Sequence, residues 1–515
     1  MTAPHSRFAT TAALLICALS ARASADTRSS DPVTTPAPAT STAAPPDATA
    51  AAQPPTDTAT AAAQPPTDTA TATAAAQPPT DTATAAAQPP TDTAAAAAQP
   101  LTDTATAAGP PTTATVQPPP TAAPPPRSDD ELPQFAVAGP AGFGLVSKDG
   151  GSMLVTHWLL QSDYRRFLDR APTPDRGTFA LRFAGMRLDA ILEHNYRAQL
   201  FANFADNRVT VIETWIEARL ARWARLRVGT FQFPISEERL TPGTALPFVG
   251  TSVAALLLPA RDTGVELLGG VGDLVSYNLA VVNGSWAAGP GGSDGDSSKD
   301  IVARVFVRPF AHTGLAALRQ LGVGLGASTG QHHGTPAAPQ LPSFSTYGGQ
   351  VFFAYRPPAV ADGRVDRLVP HLTWGAGPLA LYADAVWTRD RVNDTDVASR
   401  AFSAVATVVL TGEDAAPLSF VIPRHPFDPA AGHPGAIALV AGAGDLAVGQ
   451  AAFPTLADPA QAMRRMTVYG AGLNWFLSRG VAVLTSYGHQ IFRAADGGVA
   501  RPDEDTFVAR FQLVL

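Results

Sequence analysis

Cysteine is almost missing from this 515-residue chain, and the single one, Cys17, falls inside the first apolar run. Disulfide frameworks, thiolate metal sites and cysteine nucleophiles are thereby excluded from everything downstream. Lysine is nearly as scarce, with Lys148 and Lys299 alone, so the cationic side chains are almost all arginine. From residue 131 onward 32 Lys and Arg stand against 33 Asp and Glu, a balance that leaves no electrostatic footprint for nucleic acid. No stretch beyond the first apolar run offers eighteen uninterrupted apolar residues, which argues against a helical membrane span. The ten histidines open no His-Glu-x-x-His motif, and no G-x-S-x-G elbow occurs. His332 and His333 are adjacent in a glycine-rich stretch, lack a third ligand, and read as a solvated turn. Asp294–Asp300 has carboxylates at calcium-like spacing without the distal bidentate Glu. We therefore expect no catalytic residue, no metal and no cofactor, and a barrel hydrolase is the reading these absences disfavour.

What is present divides the chain in three. Residues 1–25 carry Arg7, an apolar run from Ala12 to Leu19 and the small residues Ala23-Ser24-Ala25, which together read as a secretory signal peptide. Residues 26–130 repeat QPPTDTA from Gln53, Gln64, Gln77 and Gln88, with a degraded copy at Gln99. A segment so rich in Ala, Pro and Thr buries too little apolar surface to offset its ordering entropy and reads as a disordered linker. It is expected in the periplasm as a spacer, with peptidoglycan as a candidate partner if it serves as a wall tether, or as a Thr/Pro-rich stalk carrying sugar. A structural protein tethered in this way is the alternative to a transport function.

Residues 131–515 break into alternating segments of eight to fifteen residues. In RLRVGT, Arg225, Arg227 and Gly229 share one face while Leu226, Val228 and Thr230 share the other. IVARVFVRPF sets Val302, Arg304, Phe306 and Arg308 against Ile301, Ala303, Val305 and Val307. Seventeen such segments can be counted. Secretion and the lack of cysteine make them an all-β, antiparallel transmembrane barrel of about 16 strands. A barrel with both ends on one side needs an even number, so one segment must fall elsewhere, and 319–328 and 368–375 show the weakest pattern. The last segment, TFVARFQLVL, puts Phe507, Ala509, Phe511, Leu513 and Leu515 on one face and Arg510 and Gln512 on the other. A soluble β-sandwich would alternate in the same way. Trp158, Trp215, Trp374, Trp387 and Trp475 stand near segment ends, where membrane-interface girdles place aromatics.

The succession RVGTFQFPISEERL, LLLPARDTGVELLG, YNLAVVNG and SDGDSSKDIVARVFVRPF resembles the phosphate-selective porin O and P family. RLVPHLTWGAGPLALYADAV, VVLTGE and YGAGLNWFLSRGVAVLTSY extend the resemblance over 150–515 in the family's order. It implies a sixteen-stranded porin of the Gram-negative outer membrane, usually a homotrimer, passing small solutes by diffusion past inward-folded loops. The phosphate-specific members carry a cluster of pore lysines, which two lysines cannot form. A weak preference for anions, phosphate-type anions among them, without a high-affinity phosphate site is the expectation.

Candidate pore residues follow from the alternation and from the loop that resembles the inward-bending segment of that family. They are Arg225 and Arg227 on one strand, Glu237, Glu238, Arg239, Arg261 and Asp262 around the loop, and Arg304 and Arg308 on a later strand. Short turns mark the periplasmic end of such barrels, which assigns Ser478-Arg479-Gly480 there and makes 445–464 and 492–504 external. By the same count 411–434 is periplasmic and too long for a turn, so it is expected to fold into the lumen and bring Arg424 and His425 to the pathway.

Overall fold

A computed structural model describes residues 135–139, 142–168, 177–205, 208–286 and 297–515. The expected signal peptide, the repeat segment and Asp294 lie outside the described residues. The strands are β1 (Phe135–Gly139), β2 (Gly142–Val146), β3 (Met153–Phe167), β4 (Gly177–Leu192), β5 (Tyr196–Asn203), β6 (Thr210–Ala221) and β7 (Ala224–Gln232). Then come β8 (Arg261–Val271), β9 (Val275–Val282), β10 (Asp300–Val307), β11 (Gly322–His333), β12 (Ser343–Ser345) and β13 (Val351–Ala354). The chain ends with β14 (Ala361–Ala376), β15 (Leu379–Val392), β16 (Thr395–Val409), β17 (Ala436–Ala447), β18 (Met463–Phe476), β19 (Val481–Ala494) and β20 (Glu504–Val514).

β3 to β11 and β14 to β20 pair antiparallel in succession, and β20 returns to β3, so sixteen strands close a barrel. At the closure Gln161 lies opposite Gln512, and Trp158 and Leu515 exchange two backbone hydrogen bonds of 2.9 Å. Closure matters energetically because it leaves no wall strand with an unpaired edge. β20 does not reach Met153–Thr156, and there β2 of the β1–β2 hairpin pairs with β3 instead.

The segment that falls out of the wall is 347–356. It supplies β13, which pairs with β12 in a separate two-stranded sheet, whereas 319–328 and 368–375 belong to the wall strands β11 and β14. Four residues in a strand are too few to span an apolar layer, for which about nine to eleven are typical.

Pleating sorts the side chains. Ile216, Val228, Val265, Leu279, Leu325, Leu368, Leu439, Leu473 and Phe511 face outward on strands all around the circumference and remain exposed. So continuous an apolar surface is stable only against an apolar solvent, and a sandwich would have buried it. Trp374 and Trp475 face outward near one rim, with their indole N–H groups on the carbonyls of Ala317 (2.8 Å) and Pro434 (2.6 Å). Trp158 and Trp387 also face outward and are exposed. Trp215 does not join them. It shares a face with Glu217, which puts it inside.

The two rims differ. At one rim β4–β5, β6–β7, β8–β9, β14–β15 and β18–β19 meet in turns of two to four residues, the last of them 477–480. At the other lie the long connections 233–260, 334–360 and 448–462. The short-turn rim has two exceptions, 308–321 and the larger 410–435.

Candidate functional site

The lumen is built from one side. After β7 the chain turns inward at Phe233-Pro234, and Phe233 and Ile235 are fully buried. Ser236 caps the single helical turn Glu237–Leu240 by accepting a hydrogen bond from the Arg239 N–H. The loop then crosses the barrel. The Gln512 and Asn474 side chains donate to the carbonyls of Thr244 (3.1 Å) and Pro247 (2.7 Å), and the N–H groups of Val249 and Ala254 donate to Ser486 and Ser403 Oγ, each at 3.0 Å. Close approach needs a bare wall at these points. A Cβ added to Gly442 would stand 2.8 Å from the Phe248 ring, and one added to Gly444 would stand 3.2 Å from Val253.

Two further segments fill the same side. The β12–β13 sheet packs Phe344, Phe352 and Phe353 against Phe453 and Phe492. From the opposite rim, Ala415 and Val421 reach the inner face of the wall, in one apolar cluster with Val249, Phe476, Leu484 and Val508. Phe420 stacks edge-on against Phe476 at 4.8 Å. A small cavity lined by Thr244, Pro247, Leu418, Ser419 and Asn474 separates this strap from the crossing loop.

Among the described residues the opposite wall, β3 to β7, is the less covered one, touched by the 334–360 connection where Arg165 donates to the Gly348 carbonyl at 2.8 Å, and its inward side chains are mostly polar or charged. Arg187 and Asp189 pair at 3.0 Å and keep 38% and 29% side-chain exposure, while His157 reaches the same Asp189. Arg225 (36% exposed) and Arg227 both bond the buried Glu217, and Arg227 also bonds Glu266 at 3.1 Å and lies 4.4 Å over the Trp215 ring. Arg197 and Arg219, inward by register with Glu217 and Arg225, are exposed. Toward the closure Arg510 binds Asp163 in a fork at 2.7 and 2.8 Å. Period-2 alternation in RAQLFAN and VIETWIEARL was the signal for Arg197 and Arg219, obscured by the irregular register that shifts β5 on β6.

The other expected residues are placed as follows. Arg304 points inward but is 3% exposed, held by Glu237 of the crossing loop and by Asn278 Oδ1 at 3.2 Å. Glu238 is buried behind the loop, with its carboxylate accepting from Ser252 N at 2.6 Å; burial pushes its carboxyl up against the pull of those bonds and of Arg239. The Arg239 guanidinium donates to the carbonyls of Ala255 and Leu258, so both groups brace the loop rather than face the opening. Arg261 bonds Glu213 at 2.9 Å, and Asp262 is fully buried, accepting from Thr263 and Gly284 N–H. Arg308 lies past the end of β10, its Nε on the Asp273 carbonyl at 3.0 Å. Arg424 and His425 are a correction. The strap does enter the lumen, but these two stay exposed at its base, Arg424 on the Gly412 carbonyl and His425 stacked on His433 at 4.5 Å. His332 and His333 are a second, because both lie in β11. His332 is buried against Asp300 at 3.0 Å, beside Arg367, and His333 faces outward toward Asp362. Neither stands in a solvated turn.

No protein-family model matches the chain, and no curated protein matches it. Among solved structures it is similar to outer-membrane expressed OmpT of Vibrio cholerae, at 12% identity over 71% of this chain and 98% of that one, with a TM-score of 0.44. The outer-membrane channel DcaP of Acinetobacter baumannii matches at 9% identity over 72% and 99%, with a TM-score of 0.45. An anion-selective porin from Comamonas acidovorans matches at 9% identity over 71% and 100%, with a TM-score of 0.42.

Proposed function

We propose that the protein is an outer-membrane porin through which small hydrophilic solutes diffuse, with a weak preference for anions. The observation that carries this reading is the less covered inner wall of β3 to β7, where the exposed arginines Arg187, Arg197, Arg219 and Arg225 outnumber the exposed carboxylate Asp189. A lumen with low-dielectric walls amplifies whichever sign is in excess. The excess is small because Arg187 spends part of its charge on Asp189, and Arg225 and Arg227 share Glu217. Arginines spread in this way, each partly engaged by a carboxylate, support general anion passage over a dedicated phosphate site. The resemblance of RVGTFQFPISEERL and the segments after it supports a homotrimer, and the repeat segment 26–130 is proposed as a periplasmic spacer or wall tether.

Planar-bilayer recording tests the reading. Purified protein should give steady unitary conductance, and the reversal potential in a salt gradient should have the sign of a mild anion preference. Cation preference, or hydrolysis of substrates without conductance, would overturn it.

A further inference from the structure

We propose that the less covered wall of β4 to β6 discriminates among anions by their apolar body, favouring aromatic carboxylates over acetate or inorganic phosphate. The proposal rests on the porin reading and names the solute class of the same wall.

Three aromatic side chains share this wall with its arginines. Phe201 is in register with Arg187, Asp189 with Gln199, and Gln199 with Trp215, so all five side chains lie on the inner face. Phe183 joins them, because its ring stacks on that of Phe201 with centroids 5.3 Å apart and a tilt of 32°. On the filled side of the lumen Phe231, Phe233, Phe352 and Phe353 are sealed at 1% exposure or less. Phe183, Phe201 and Trp215 are only half-buried; among the described residues Phe183 and Phe201 belong to neither loop-filled cluster, while Trp215 borders the one that holds the crossing loop. An apolar ring left beside water in a polar channel gains by being covered, and a flat aromatic solute covers it in the tilted or offset geometry such rings prefer.

The arginines supply the second half of the recognition. Arg187 uses Nε for Asp189 and keeps its Nη groups for a solute, and Phe201 is its register partner on the same inner face. A guanidinium so placed takes a carboxylate, while the neighbouring ring takes the body attached to it. Arg227 already lies over the Trp215 face at 4.4 Å and shows that the wall accommodates a cation stacked on a ring. Inorganic phosphate has no apolar surface to offer the rings, and a neutral sugar gives the arginines no charge to meet.

The test uses the full chain in planar bilayers, with chloride current titrated by benzoate, acetate, inorganic phosphate and glucose. Benzoate should reduce the current at about tenfold lower concentration than acetate, a difference of about 1.4 kcal/mol. Phe183→Ala, Phe201→Ala and Trp215→Ala should each shrink the benzoate-to-acetate ratio. Phe201→Leu serves where the alanine variant fails to assemble, since it keeps apolar volume and removes the ring. Phe179→Ala, on the outer surface of β4, should leave the ratio alone. Equal action of benzoate and acetate, a ratio unchanged in all three inner variants, or glucose as effective as benzoate would overturn the proposal. Each of those results leaves anion conductance standing, whereas absence of conductance in the unmodified protein removes the porin reading itself.

Discussion

Replacing Gly326 by alanine isolates what holds the crossing loop against the wall. Gly326 faces inward on β11, and a methyl built there would overlap the carbonyl oxygen of Ile235, inside the 3.0 Å that real Cβ atoms keep. The obstacle is loop backbone, so no rotamer change relieves it. Ile235 immediately precedes Ser236 and the helical turn whose Glu237 grips Arg304 and whose Glu238 accepts from Ser252. Displacing it therefore loosens the loop at its root. Overpacking of this kind costs about 1–3 kcal/mol. Because 1.4 kcal/mol is about tenfold in population, the unseated loop should be enriched about 5- to 140-fold. Unitary conductance should rise and open-channel noise should grow in Gly326→Ala. Gly243→Ala is the control, since that position in the same loop has open space around it. A Gly326→Ala barrel that assembles and conducts with unchanged amplitude and noise would refute the seating argument.

Three further outcomes follow from the lumen. Deleting 415–421 removes the strap that meets Val249 and Phe476 and should enlarge unitary conductance; an unchanged amplitude would place that strap away from the narrow part. Arg225→Ala should move the reversal potential toward cations. Arg304→Ala should move it less, because its guanidinium is 3% exposed, and should instead destabilise the barrel by about 1–3 kcal/mol as Glu237 and Asn278 lose their partner. Equal selectivity shifts, or no change in the denaturation midpoint of Arg304→Ala, would count against this division of roles. Burial raises the Glu238 carboxyl above its ordinary 4.5, so its protonated form suits the seated loop. Seating is then firmest at acid pH and weakens as pH rises through the raised value. Open-channel noise should grow from acid to neutral pH, less so in Glu238→Gln; noise that grows toward acid would contradict the sign.

Side-chain alternation is a local property, and the sequence alone therefore settled the wall. The pleat forces Arg225 and Arg227 to one face and Leu226 and Val228 to the other, whatever the rest of the chain does. The same rule fixed the C-terminal strand, with Phe511 outside and Arg510 and Gln512 inside, and the turn after β18. Composition excluded thiol chemistry before any coordinates were needed. What the tertiary structure alone decided are the relations between distant segments. Alternation cannot tell β13 from a wall strand, because a short strand pairing with β12 inside the lumen looks the same as one pairing in the wall. Nor does it rank arginines: Arg304 and Arg225 both face inward, yet only Arg304 is closed off, by a loop residue 67 positions away. The open side of the barrel was set by where glycines and serines of β11 and β16 to β19 let the loops approach. The half-exposed rings of Phe183 and Phe201 matter because, among the described residues, the clusters that fill the far side of the lumen include neither.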